Sequence, residues 1–275
     1  MTVLISPSEL AAALASFAPP RLLDVRWSLA KPNGLDDHAA GHLSGAVYVD
    51  LDTELADIGD PREGRHPLPT PEAFQEAARR WGMRDGEDVV VYDAGHGFGA
   101  ARAWWLLRHA GVANVRILDG GFAAWAAAGL EVEAGTVEPA LGTVTLGWGG
   151  MPVVDADGAE GWPRHGALLD ARAGERFRGE VEPMDPVAGH IPGAINAPTT
   201  GNVAADGTFL SREELVVRFA GLGVGADTQV ATYCGSGVTA AHQIAALEIA
   251  GIPAALYAGS WSAWSHQGRP VATGE

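Results

Sequence analysis

Cysteine is almost missing from this chain: among 275 residues, Cys234 is the only one. A single thiol cannot close an internal disulfide and leaves no Cys-x-x-Cys pair for a metal. A reducing, cytoplasmic setting with neither metal nor other cofactor is therefore expected. Basic residues are scarce too. Eighteen Lys and Arg stand against 34 Asp and Glu, a formal net charge of −16, which argues against nucleic acid or an anionic membrane as partner. A solvated, soluble surface is the simpler use of that charge. No apolar run approaches the length that spans a bilayer. Met1 to Phe17 carries no Lys or Arg, as a targeting segment would, and Ser6-Pro7-Ser8-Glu9 reads instead as a helix capping box.

Apolar side chains are plentiful. At 47% hydrophobic content the chain can bury the cores of two ordinary domains. Four sequence blocks recur in the same order. Arg21-Leu22-Leu23-Asp24-Val25-Arg26 returns as Ala167-Leu168-Leu169-Asp170-Ala171-Arg172, and Gly41-His42-Leu43-Ser44-Gly45-Ala46 as Gly189-His190-Ile191-Pro192-Gly193-Ala194. Asp88 to Asp93 matches Thr228 to Cys234, and Gly120 to Trp125 matches Ala258 to Trp264. Each copy alternates short apolar runs with amphipathic segments, the pattern of an α/β domain around a mainly parallel sheet flanked by helices. Thr70-Pro71-Glu72 and Ser211-Arg212-Glu213 read as helix starts, a hydroxyl followed by acids in the first turn. Glu131 to Gly150 is Gly-rich, contains Pro139 and has no helical period. The expected organisation is one α/β domain over 1–135, an exposed connector over 136–150 and a second α/β domain over 151–275.

Cys234 lies where Val230-Ala231-Thr232-Tyr233 breaks into Gly235-Ser236-Gly237 and then an alanine-rich helical run beginning Val238-Thr239-Ala240. A thiol between a strand and a helix N-terminus meets converging backbone N–H groups and the positive end of the helix dipole, which favour its thiolate. The bland alternative is a buried, inert cysteine.

Together these blocks resemble the tandem-domain rhodanese sulfurtransferases: Leu-Leu-Asp-x-Arg twice, Gly-His-x-x-Gly-Ala twice, and a strand-to-helix loop headed by Cys in the second copy. In that family the N-terminal copy is catalytically silent, and Asp93 stands here at the cysteine position. The loop Cys234-Gly235-Ser236-Gly237-Val238-Thr239 is similar to that of the branch acting on 3-mercaptopyruvate. Members specific for thiosulfate carry basic side chains where Gly235 and Ser236 stand. A loop without its own cation suits a donor whose charge lies on a distant carboxylate better than the thiosulfate dianion.

The resemblance implies a Cys234 persulfide, a small-molecule sulfur donor, and a thiol acceptor that is either a small molecule or a thioredoxin-like protein, with cyanide replacing it in an assay. It transfers a proton-handling set onto Asp52, His66 and Ser236, with Asp50 a rival to Asp52, and a carboxylate-binding arginine onto Arg176. The active loop is then expected to open between the two copies, the first supplying Asp52 and His66. Arg176 could also simply pair with Glu180 or Glu182. A second arginine is expected about nine residues further on, where Met184-Asp185-Pro186 stands; either Arg178 substitutes for it, or the preferred donor is a different one, with thiosulfate as the alternative.

His42 and His190 recur in both copies, so a shared structural role fits them better than catalysis. Asp24, Arg26, Asp170 and Arg172 are expected to tie strand ends to neighbouring loops, and the tryptophans at repeat landmarks to fill cores. A cysteine-dependent phosphatase would want an arginine six residues after Cys234, and that position is Ala240. A persulfide carrier without turnover is the other alternative; it would keep Cys234 and tolerate loss of His66 and Arg176.

Overall fold

The structure, a computed structural model, describes residues 2–275. The chain divides into two compact units. One gathers the residues up to Asp57 with Pro69–Met151 and Ala205–Phe209; the other gathers Ile58–Leu68, Pro152–Ala204 and Leu210–Glu275. The unit limits therefore depart from an uninterrupted division at the connector. An arm inside the first sequence copy, Ile58–Leu68, belongs to the second unit, and Ala205–Phe209 belongs to the first.

In the first unit β1 (Leu4–Ile5), β2 (Arg21–Asp24), β4 (Val47–Tyr48), β5 (Val89–Tyr92) and β6 (Val115–Leu118) form a five-stranded sheet in the order β1-β6-β5-β2-β4. Its pairings are parallel, with Leu22 opposite Val90 and Asp24 opposite Tyr92. Parallel neighbours need a crossover, and the helix Phe98–His109 supplies the one from β5 to β6. β5, Val-Val-Val-Tyr, reads as a continuous apolar run because such a strand is covered on both faces. A separate antiparallel pair joins β3 (His42–Leu43) to β7 (Val132–Glu133).

The second unit repeats the plan with β8 (Ala167–Asp170), β9 (Ile195–Asn196), β10 (Val230–Tyr233) and β11 (Ala254–Leu256) in the order β11-β10-β8-β9, all parallel. Its core gathers Leu168, Tyr233, Trp261 and Trp264. Helix starts at Thr70 and Ser211 are capped by their hydroxyls, and Ser211 with Glu214 completes a capping box.

The recurring sequence blocks build the same cassette in each unit. Arg26 donates to Asp24 and to the Gly41 carbonyl, and Arg172 donates to Asp170 and to the Gly189 carbonyl. Each guanidinium lies over an aromatic ring, Phe122 at 4.2 Å and Trp261 at 4.6 Å. His42 bonds the His38 carbonyl and His190 the Phe177 carbonyl, each ring stacked on the side chain whose carbonyl it meets. These buried groups lock strand ends to adjacent loops, which is why they recur whether or not a thiol is present.

The connector is mostly exposed yet not loose. Val144 is buried, its carbonyl accepts from Gln75 and Arg79, and the Thr143 N–H reaches the Met83 carbonyl. Among the described residues no helix is long and apolar enough to cross a membrane, and no group of three or more His, Cys, Asp and Glu side chains could hold a metal ion.

Candidate active site

β10 ends at Tyr233 and the helix Val238–Ala250 begins four residues past Cys234. Gly237 makes the turn with φ +84°, a backbone shape that costs other residues strain. The turn folds the Gly237 N–H back onto the Cys234 sulfur at 3.1 Å. The sulfur is almost wholly buried at the N-terminus of a thirteen-residue helix. Cys234 is held from behind as well. Its own N–H donates to Ser260 Oγ at 3.1 Å, and that hydroxyl donates to the Tyr257 carbonyl at 3.0 Å.

Two residues beyond the thiol, the Ser236 hydroxyl lies 2.8 Å from Nδ1 of His66. Both side chains are buried. The arm Ile58–Leu68 carries His66 there: Pro61–Glu63 form a short exposed turn of 3₁₀ helix, after which Gly64 and His66 are buried. Gln267 holds the turn by donating to the Arg62 carbonyl at 2.7 Å.

Two guanidiniums approach the residue after the thiol. A Cβ at Gly235 would lie 3.0 Å from Nη2 of Arg65, and 3.5 and 3.7 Å from Nη1 and Nη2 of Arg176. Each is anchored by a buried carboxylate. Arg65 donates from Nη1 to Asp185, and Arg176 donates to Glu182 at 2.6 Å while lying 3.5 Å from Asp185. Burial pushes the Asp185 carboxyl up while the Arg65 charge pulls it down. Arg176 is thus both the expected partner of Glu182 and a neighbour of the thiol loop. Arg178 is elsewhere, fastened to Glu180 on the surface at 2.7 Å; Arg65, not Arg178, is the second guanidinium beside the loop. Arg65 is the residue that sequence reasoning missed. Its signals were adjacency to His66 and an acid at position 185, where an arginine was expected.

The remaining candidates take quieter positions. Asp52, in the first unit, accepts the Trp27 indole N–H at 3.0 Å; burial and neighbouring Asp50 push its carboxyl up against that donor. Asp50 itself caps the helix Leu51–Glu54 by accepting the Thr53 N–H. Val238 is buried in the first helical turn and Thr239 is half-buried beside it.

The same turn in the first unit holds Asp93. Its carboxylate accepts from the N–H groups of Gly95 at 2.9 Å, Gly97 at 3.0 Å and Gly99 at 3.1 Å. Burial pushes this carboxyl up although the loop amides pull it down. The first cradle is filled by its own side chain.

The rhodanese-like domain model matches residues 6–128 and 155–267, the two halves that carry Asp93 and Cys234. The chain belongs to the rhodanese family. It is 48% identical over 280 residues to a Mycobacterium tuberculosis protein named "Putative thiosulfate sulfurtransferase SseB", covering 99% of this chain and 97% of that one. It is 46% identical to a Pseudomonas aeruginosa protein named "Probable 3-mercaptopyruvate sulfurtransferase", covering 99% of this chain and 98% of that one. Among solved structures it resembles SseA of Escherichia coli, described with the 3-mercaptopyruvate sulfotransferases. The TM-score is 0.83 at 34% identity, over 95% of this chain and 99% of that one. The expected pair of rhodanese domains, α/β with parallel sheets, is thus borne out.

Proposed function

We propose that this protein is a sulfurtransferase that takes sulfur from 3-mercaptopyruvate onto Cys234 and passes it to a thiol, or to cyanide in an assay. The observation that carries the reading is the 2.8 Å contact between His66 and Ser236, two residues from the sole thiol. The Cys234 thiolate attacks the donor sulfur, an S–S bond forms, and the donor C–S bond breaks. Its electron pair passes into the adjacent ketone to give pyruvate enolate. The proton of the donor thiol must then reach the enolate carbon, and Ser236 with His66 would carry it. The net change is thiolate plus mercaptopyruvate to persulfide anion plus pyruvate. An acceptor thiolate then attacks the outer sulfur and restores the Cys234 thiolate.

Arg65 and Arg176 would take the donor carboxylate, for which a guanidinium fork is suited. Asp52 would assist the relay as an acid–base partner. The residues fit a reaction that needs no metal or organic cofactor, because the nucleophile, proton carrier and anion holders are all side chains.

Thiosulfate is the second reading, and two observations favour it: the two cations beside Gly235 and the name of the Mycobacterium tuberculosis relative. Sulfite leaves as a stable anion and needs no proton on carbon, so the relay separates the two donors. Side-by-side kinetics with both donors on one preparation tests the choice.

A further inference from the structure

The arm that brings His66 and Arg65 to the thiol loop turns inward at Gly64. Its φ is +103°, and a Cβ there would lie 2.7 Å from the Gly259 carbonyl oxygen. That carbonyl cannot step aside cheaply. It accepts the Ala263 N–H at 3.0 Å in the first turn of the helix Ser260–His266, and the next residue, Ser260, holds the Cys234 N–H. Moving Gly259 would disturb the support of the nucleophile, whereas the arm before Gly64 is exposed. Any side chain at position 64 therefore displaces the arm, and the two residues that follow are Arg65 and His66.

We propose that Gly64 is a positioning residue for sulfur transfer: the bare approach of its Cα to the Gly259 carbonyl sets the depth at which the arm delivers His66 to Ser236 and Arg65 to Gly235. The inference rests on the proposed function only for what His66 does, since the placement itself is geometric. Gly64 touches no reacting atom and acts through its neighbours. Arm docking and proton delivery thus share one contact, with backbone on both sides.

Gly64→Ala tests this, with Gly59→Ala as control, because Gly59 lies in the same arm with nothing within 4 Å of an added Cβ. Kinetics with both donors are measured alongside circular dichroism, thermal unfolding and the ¹⁵N resonances of His66, assigned by their loss in His66→Ala. Gly64→Ala is expected to lower kcat for mercaptopyruvate by about tenfold or more and to raise KM, since an ångström-scale misplacement costs up to roughly a hundredfold. The thiosulfate rate should fall less, the His66 signal should leave its hydrogen-bonded position, and Gly59→Ala should match wild type. Adding His66→Ala to Gly64→Ala should cost little beyond His66→Ala alone in kcat, because both remove one relay. Wild-type kinetics, or an unmoved His66 signal in Gly64→Ala, overturns the proposal, whatever happens to stability. If wild type ignores mercaptopyruvate or His66→Ala stays fully active, the proposed function fails instead. The His66 signal still decides the role of Gly64.

Discussion

Asp93 and Cys234 head the same strand-to-helix turn in the two copies, and what each accepts from that turn differs. The Asp93 carboxylate gathers three loop amides within 3.1 Å, while the Cys234 sulfur takes the Gly237 amide at 3.1 Å. A carboxylate oxygen reaches further from its Cβ than a thiolate sulfur does, so it meets more of the cradle. The first copy therefore fills its own cradle, and the turn there is held by its own side chain. Asp93→Ala leaves the buried Gly97 and Gly99 amides without their acceptor. It should destabilise the first unit by about 1–3 kcal/mol, read as a lower urea midpoint, with transfer chemistry per folded molecule intact. An unchanged midpoint would mean that the loop amides find water at no cost.

Cys234→Ser should abolish transfer without unfolding the chain, since the hydroxyl is nearly isosteric and can still accept the Gly237 N–H. Donor-treated wild type should gain the mass of one sulfur atom on the peptide containing Cys234. Mapping of the added sulfur to any other peptide sinks the persulfide assignment.

For the donors, kcat/KM for mercaptopyruvate is expected to exceed that for thiosulfate by at least roughly tenfold, about 1.4 kcal/mol of transition-state binding. His66→Ala and Ser236→Ala should cut kcat for mercaptopyruvate by about a hundredfold or more, the usual scale of a lost proton carrier. Their thiosulfate rates should change much less. Equal losses on both donors would assign the pair to loop structure. Arg65→Gln and Arg176→Gln should chiefly raise KM, because they remove anion contacts that ground state and transition state share. Placing an arginine at Gly235 is a poor probe of donor charge, since its Cβ would already crowd Arg65.

The legible parts of this molecule were local. The Leu-Leu-Asp-x-Arg blocks became β2 and β8 with their buried Asp–Arg pairs, and a β-branched run, a Gly-Ser-Gly turn and an alanine-rich segment became the cradle of Cys234. Such signals depend on neighbours within a few residues. The arm carries no such local signal: the family resemblance alone puts His66 with Ser236, and it does not point to Arg65. Arg65 meets Asp185 across 120 residues and His66 meets Ser236 across 170, and no periodicity records a contact of that span. The residue at 185 shows how a family expectation misleads: the missing arginine is an aspartate, and the charge it holds in place arrives on Arg65. Arg178, the other candidate for that second arginine, is kept on the surface by Glu180.

Asp52 links the relay to stability, and the sign can be worked out. Its folded-state carboxyl lies above the ordinary value of 3.8, chiefly through burial and also through Asp50. The folded chain therefore holds this proton more tightly than the unfolded chain. Over the window from about 3.8 up to the raised value, stability falls as pH rises, and above that window the full penalty persists. Asp52→Asn removes the charge while its side-chain oxygen can still accept the Trp27 N–H. The variant should unfold at higher urea than wild type near pH 7, with the gap closing as pH falls toward 4. If Asp52 also serves His66, the same variant should lose kcat for mercaptopyruvate while gaining stability, a trade common at active sites. A variant less stable than wild type at pH 7 would refute the burial penalty. One that is more stable and fully active would leave Asp52 outside the chemistry.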